Sequence, residues 1–298
     1  MIGIELDETV ALAVGVDERG AVLARAQCAA AGDLGAASVK AVEQVRSAMA
    51  GAAIGTLGIT AITPESPAIA AVVSQLALRF GSPVGRNGAV LSGTAAAAAE
   101  AWVGAARGVK DVVYFAVGQH TTGGIVRDGV ALTGARGRAA SVAWLSLNPV
   151  EREDYRKTGC LEAEVAAAGI VRRMIWRIKA GDRSRVQDII KDDFSAITVD
   201  HVLDAARSGD GVSISVVRDT AKYLGMAAAN LVAIADPAVL VLGGIMATAA
   251  DLLFEPVRTE LGRRVPPAMM QALAVEPAAL GADAAAIGAA RLAMAARP

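Results

Sequence analysis

The chain has 298 residues, a formal net charge of -1, and 54% hydrophobic but only 3% aromatic residues. That length accommodates two domains of ordinary size, each with its own core, and the shortage of aromatics leaves Ala, Val, Leu and Ile to fill them. The near-balance of charge excludes the broad basic surface used to hold nucleic acid.

In chain order, residues 2–6 and 10–16 read as strands, and Asp17-Glu18-Arg19-Gly20 is a turn that returns the chain as a third strand over 21–27. Residues 38–49 carry helical spacing, 54–60 form a buried strand, and 67–80 form a helix. The Ala-rich segment 91–103 favours helix strongly. The order then restarts with short strands at 112–117, 124–127 and 130–132, the last two joined by the turn Asp128-Gly129. An irregular segment, 135–159, precedes helices at 161–179, 185–191, 199–206 and 211–235. A strand at 239–242 ends in Gly243-Gly244, and a helix (249–261), a strand (271–275) and a closing helix (283–295) complete the chain.

The start of the chain enters an apolar run without a basic segment, so no secretory leader is expected. The most apolar stretch, 224–250, is cut by Asp236-Pro237 into pieces too short to span a bilayer. It reads as a buried helix followed by a buried strand, and no membrane association is expected. Cys28 and Cys160 are far apart and suggest no disulfide framework, which points to a reducing cytoplasm.

Three strands followed by alternating helix and strand, twice over, is the plan of the α/β actin-like ATPase fold, also described as ribonuclease H-like, with two lobes around a central cleft. The boundary is expected near Gly108, giving an N-terminal lobe 1–108 and a C-terminal lobe 109–298, with helix 283–295 free to pack back on the first lobe. The chain resembles the ROK family of repressors, uncharacterised reading frames and sugar kinases. The resemblance rests on residues 3–17, on Glu100-Ala-Trp-Val-Gly104, on Gly159-Cys160-Leu161-Glu162, on the run from Asp236-Pro237 to Gly243-Gly244, and on Ile287-Gly288-Ala289-Ala290.

Set against that family's pattern, four pieces of chemistry are missing. The resemblance implies a catalytic Asp that accepts the proton of a sugar hydroxyl as it attacks a phosphoryl group. That position falls on Gly88, after Asn87, or on Ser92 when counted back from Glu100. The first phosphate loop should carry two glycines so that backbone N–H groups approach phosphate; Asp7 and Glu8 stand there, just before Thr9. The second phosphate loop becomes Gly118-Gln119-His120-Thr121-Thr122-Gly123-Gly124. In the sugar and zinc segment, Ser141 takes the place of a Glu and Trp144 that of a His, and of the motif's cysteines only Cys160 remains. One thiolate does not make a structural zinc site, which takes four ligands. No metal is therefore expected, and packing around Trp144 and Tyr155 is expected to replace it.

The resemblance leaves Asn87, Glu100 and Ser141 as candidate substrate-binding residues, and Thr9, Gly118, Thr121, Gly243 and Gly244 as a degenerate nucleotide site. Asp7, Glu8 and His120 form either a salt-bridged plug of the nucleotide space, a new metal or hydrolytic site, or no cluster. The leading expectation is a catalytically inactive sugar-kinase-like homodimer that senses a sugar-type small molecule or binds a protein partner. No cofactor is expected beyond weak Mg-ATP, and no direct contact with nucleic acid. One alternative is a divergent ATP-dependent sugar or cyclitol kinase with relocated catalytic groups. Another is a ROK-type transcriptional regulator without its own helix-turn-helix, since the first strand already begins at residue 2.

Overall fold

The computed structural model describes residues 1–50, 56–80 and 84–295, with residues 84–87 described as backbone only. The elements run β1 (Ile2–Leu6), β2 (Val10–Val16), β3 (Val22–Ala29), α1 (Leu34–Ala48), β4 (Leu57–Ala61), α2 (Pro67–Phe80), β5 (Val84–Leu91), α3 (Ser92–Trp102), β6 (Val112–Val117), β7 (Thr121–Arg127) and β8 (Val130–Ala131). Then follow α4 (Glu153–Thr158), α5 (Cys160–Val165), α6 (Ala167–Lys179), α7 (Arg185–Ile190), α8 (Val199–Arg207), α9 (Gly211–Ala235), β9 (Val239–Gly244), α10 (Ile245–Thr248), α11 (Ala250–Gly262), α12 (Pro267–Ala272), β10 (Ala274–Pro277) and α13 (Ala284–Ala295). Among the described residues no helix is long and apolar enough to cross a membrane.

The chain divides into two compact units. The first comprises Met1–Tyr114, Gly123–Ala140 and Ala278–Pro298, and the second Phe115–Thr122 and Ser141–Pro277. A boundary near Gly108 is thus too simple, because 123–140 and 278–298 return to the first unit. The first sheet has the order β3-β2-β1-β4-β5. Its β1–β2 and β2–β3 pairs are antiparallel, and its β1–β4 and β4–β5 pairs are parallel. The second has the order β10-β9-β6-β7-β8, with β9 parallel to β10 and β7 antiparallel to β8.

Alternation along β1 explains the layering of the first unit. Ile2, Ile4 and Leu6 face a core shared with Ala41, Val42 and Val45 of α1 and Leu76 of α2. The opposite face presents Gly3 and Glu5, paired in register with Gly58 and Thr60 of β4. Helix α13 lies on this face. A Cβ on Gly3 or Gly58 would fall inside the carbonyls of Ala286 and Ala289, and one on Gly288 inside that of Ala95. The helix is therefore pressed between the sheet and α3 at backbone-to-backbone distance. This close layering accounts for the Ala-rich sequence, and α3 is buried from Ser92 through Glu100.

Several elements depart from the expected order. Strand β5 is absent from it, because Gly85 and Gly88 interrupt the alternation that would announce a strand. The helix expected over 161–179 is two helices, separated at Ala166 by an extended backbone (φ -66°, ψ 166°). The segment expected to be irregular contains α4. The strand expected at 271–275 begins later, as β10, because Pro267 opens α12 ahead of it. Of the strand expected at 54–60, residues 54 and 55 lie outside the described residues.

Gly288→Ala tests the layering. On propensity alone, the change favours a helix interior by about 1 kcal/mol. The new methyl would overlap the Ala95 carbonyl, and overpacking costs about 1–3 kcal/mol. The variant is expected to melt below the parent in a thermal denaturation followed by circular dichroism.

Candidate functional site

Two loops of the first unit and the start of α3 enclose a cavity of about 360 Å³, lined among others by Glu65, Leu91, Thr94, Thr133, Arg136 and Arg138. That is within the range of small-molecule sites, roughly 300–1,000 Å³. The segment after β8 is tied at its base by the Ala139 N–H to the Thr133 carbonyl (3.0 Å), with a turn closed from Gly137 to Gly134 (3.4 Å). Arg138 on this segment pairs with Glu65, from the loop between β4 and α2, at 3.3 Å.

Beside the cavity wall, α3 begins at Ser92, directly after the last residue of β5. Ser92 is 3% exposed. Glu5, half-buried on β1 with β4 between that strand and β5, lies against it. Burial pushes the Glu5 carboxyl above the usual carboxylate range; the Ser92 hydroxyl holds the rise back, while Asp7 and Asp283 add to it. The Ser92 Oγ nevertheless has no hydrogen bond of good geometry. A carboxyl and an unsatisfied hydroxyl therefore meet at the C-terminal ends of the parallel strands.

Glu100, eight residues further along the same helix, does something different. It is fully buried and accepts N–H bonds from Ala105 (2.7 Å), Ala279 (3.1 Å) and Leu280 (3.0 Å). Its expected role in substrate binding is corrected: it is a clamp that joins the end of α3 to the chain leading into α13. The side chain of the other expected ligand, Asn87, lies outside the described residues. Gly88 sits in β5 at φ 69° with open space around it. Ser141 is exposed and opens the 3-10 turn Val142–Trp144.

Asp7 and Thr9 are engaged with each other in the turn between β1 and β2. The Asp7 carboxylate accepts from the Thr9 N–H (3.0 Å) and hydroxyl (2.8 Å), and the Asp7 N–H donates to the Val10 carbonyl (2.9 Å). Glu8 is exposed. In the second unit His120 faces a carboxylate that the sequence reading left out of the cluster: its Nδ1 is 3.2 Å from Glu162 Oε1, and Glu162 Oε2 accepts the Thr121 N–H at 2.9 Å. The Thr121 hydroxyl is buried without a hydrogen bond. Glu162 reaches this position because Gly159 turns the chain between α4 and α5 at φ 94°, where a Cβ would strike the Ala143 carbonyl.

A second cavity, of about 560 Å³, lies within the second unit and is lined by Gly118, Gln119, Ala167, Ile197, Asp200 and Ile245 among others. Gly244 at its side has φ 61°, and a Cβ there would overlap the Val117 carbonyl, so the Gly243-Gly244 turn is required by the backbone itself. His201 belongs to a helix cap, exchanging bonds with Thr198 at the start of α8.

The match to known families covers residues 1–296, against the model described as ROK family. The chain belongs to the ROK family. Its fold is accordingly the actin-like ATPase fold. A glucokinase of Halalkalibacterium halodurans is 32% identical over 195 residues, covering 65% of this chain and 59% of that protein. The DNA-binding transcriptional repressor Mlc of Escherichia coli is 25% identical over 179 residues, covering 60% of this chain and 43% of that protein. The chain thus spans about three fifths or less of the lengths of these two relatives. The crystal structure of a ROK family glucokinase from Streptomyces griseus in complex with glucose and AMPPNP superposes with a TM-score of 0.82 at 25% identity, covering 99% of both chains.

The zinc that the family resemblance implies does not fit the residues present. Glu153, Tyr155 and Cys160 stand at the cysteine positions. Tyr155 and Cys160 pack with Ala163 in a small buried cluster. The Tyr155 hydroxyl donates to Glu164, and burial followed by that carboxylate pushes the phenol up to about 12. Glu164 also meets Arg173 (3.2 Å) and Arg152 (3.4 Å), while Arg172 reaches Asp154 and the Ala163 carbonyl. A guanidinium, carboxylate and phenol network therefore holds this segment. Trp144, expected to help fill the zinc position, is 57% exposed. Arg172 and Arg173, at helical spacing on α6, thus belong to the network and not to a solvated face.

Arg152 and Arg172 also meet Asp154, so removing Glu164 leaves Arg173, whose side chain is 14% exposed, without its acidic partner, at a cost of about 3–5 kcal/mol. Glu164→Ala is expected to lose that stability in urea unfolding of the full chain. Chelator treatment of the parent is expected to leave its midpoint unchanged.

Proposed function

We propose that this ROK protein binds a sugar-type small molecule in the cavity of the first unit and acts as a sensor or binding module, with phosphoryl transfer reduced to a residual level. The observation that carries the reading is Ser92. Helix α3 runs without a break from Ser92 through Glu100, which supports the register counted back from Glu100 over the one that ends on Gly88. In that register the position where the resemblance implies a catalytic Asp is Ser92, a buried serine between Leu91 and Thr94, which line the cavity. A serine hydroxyl at its ordinary pKa does not accept a proton near neutral pH, and loss of a general base costs roughly 100- to 10,000-fold in rate.

The purified chain, assayed for ADP release with ATP and glucose, is expected to turn over near background. Ser92→Asp is expected to raise sugar-dependent release at saturating ATP by up to about 100-fold. Parent turnover above about 1 s⁻¹, the range of working kinases, would overturn the reading.

A second reading, a divergent kinase with a relocated base, is favoured by one contact: the Glu5 carboxyl against Ser92. Under it, Glu5 takes the proton of the substrate hydroxyl. Its raised pKa then places the pH dependence of the rate above the ordinary carboxylate range, with activity rising as pH rises, and Glu5→Gln abolishes turnover. The same shift has a stability consequence on either reading. The folded state holds the Glu5 proton to higher pH than the unfolded chain does, so stability is greatest below the ordinary carboxylate pKa and falls as pH rises through the raised value. Glu5→Gln is expected to melt higher than the parent at pH 7 and to show no such gain at pH 4, as measured by scanning calorimetry.

A further inference from the structure

The cavity of the first unit carries an imbalance of charge that a neutral sugar does not use. Its charged lining consists of Glu65, Arg136 and Arg138, one carboxylate against two guanidiniums. Glu65 and Arg138 bridge the two loops at 3.3 Å. Arg136 forms no ion pair among the described residues and sits in the turn closed between Gly134 and Gly137. That turn fixes where its backbone points without fixing its guanidinium. Glu5 and Asp283 do not line the cavity; they lie towards α13 and Ser92, and Asp283 is held by Arg25 at 2.8 Å. The cationic side of the cavity is therefore the segment after β8, and the acidic side is a single carboxylate already shared with Arg138.

A planar guanidinium fork matches a carboxylate or phosphate group in a two-point contact, whereas a sugar hydroxyl engages it less strongly. We infer that the cavity takes a hexose carrying a negative charge, as a phosphate ester or a carboxylate, with the anionic group held by Arg136 and Arg138 and the ring against Leu91 and Thr94. The inference rests on the sugar-pocket reading above and specifies its ligand class. Binding then sets the ligand's anion in competition with Glu65 for Arg138, so the Glu65–Arg138 bridge opens or becomes shared as the cavity fills. Both loops that line the cavity sense occupancy through this one ion pair.

Calorimetric titration of the full chain tests this, with glucose, glucose 6-phosphate, glucuronate and inorganic phosphate as separate probes at low ionic strength and at about 0.15 M salt. At least one anionic hexose is expected to bind roughly 10-fold or more tightly than glucose, with the preference shrinking as salt rises. Arg136→Gln is expected to remove most of that preference, and Glu65→Gln to increase it by removing the carboxylate that competes with the ligand's anion for Arg138. Glucose binding as tightly as both anionic hexoses overturns the inference and leaves the sugar-pocket reading standing. Inorganic phosphate binding as tightly as the hexose phosphate also overturns it, since the site would then recognise an anion without a sugar. No heat from any hexose up to about 10 mM overturns both the inference and the reading beneath it.

Discussion

The carboxylate of Glu100 is buried among backbone donors, and much of the first unit is arranged around that fact. An ionised carboxylate is kept out of water at tolerable cost only when its oxygens are fully hydrogen-bonded. Here the donors come from Ala105, just past the end of α3, and from Ala279 and Leu280, on the approach to α13. Two segments about 180 residues apart in the chain are thereby tied at one point. With that end fixed, α13 lies against the glycines of β1 and β4, and α3 lies against α13 through Gly288. The start of α3, and with it Ser92, has little freedom left. The same glutamate that sequence comparison offers as a ligand residue is better understood as the reason the ligand-side residues stand where they do.

The two units depart from the pattern of the family resemblance in different ways. In the first unit the change is at single side chains: Ser92 for an acid, and Asp7 in a turn that uses its own carboxylate to bind Thr9. In the second unit the departure spans a whole motif, where Glu153, Tyr155 and Cys160 stand at the cysteine positions. A zinc site is compact and contributes folding energy through four bonds. The network of Arg152, Tyr155, Glu164, Arg172 and Arg173 does the holding with charge-assisted hydrogen bonds spread across α4, α5 and α6. Such a network is harder to assemble than a metal centre, since each buried charge needs its partner in place. Cys160 packs beside it as a small buried side chain with Tyr155 and Ala163.

How much of this was legible in the sequence depended on the range of the interaction. The strands β1 and β2, the helices α2 and α9, and the glycine turn after β9 follow from local periodicity and turn residues, and the structure has them at the expected places. The order of motifs sufficed for the family. Strand β5 was not legible because its glycines hide the alternation, and the break at Ala166 was not legible because alanine is a helix former whose extended conformation is imposed by what surrounds it. The site was read least well. Ser92 emerged only as one of two registers, and the partners of Glu100, Glu162 and Glu164 are side chains and backbone groups from distant or unremarked positions. Nothing in the spacing of Arg172 and Arg173 distinguishes a solvated face from the cation half of a buried network.

That pattern has a physical reason. Several glycines stand where backbone meets backbone: Gly3 and Gly58 under α13, Gly288 within it, Gly159 between α4 and α5, and Gly244 at the end of β9, each at a place where a single methyl would collide with a carbonyl. Substitution there disrupts the fold at once. The features that changed are side chains whose replacement leaves the backbone undisturbed, among them Ser92, Ser141 and the former zinc ligands. The cavity follows from the layers, and the groups that face into it can differ without disturbing them. The arginines at 136 and 138 are side chains that line the cavity. They sit on a loop whose backbone is fixed at its base and whose side chains are free to vary, which is where a fold of this kind can acquire a different ligand without being rebuilt.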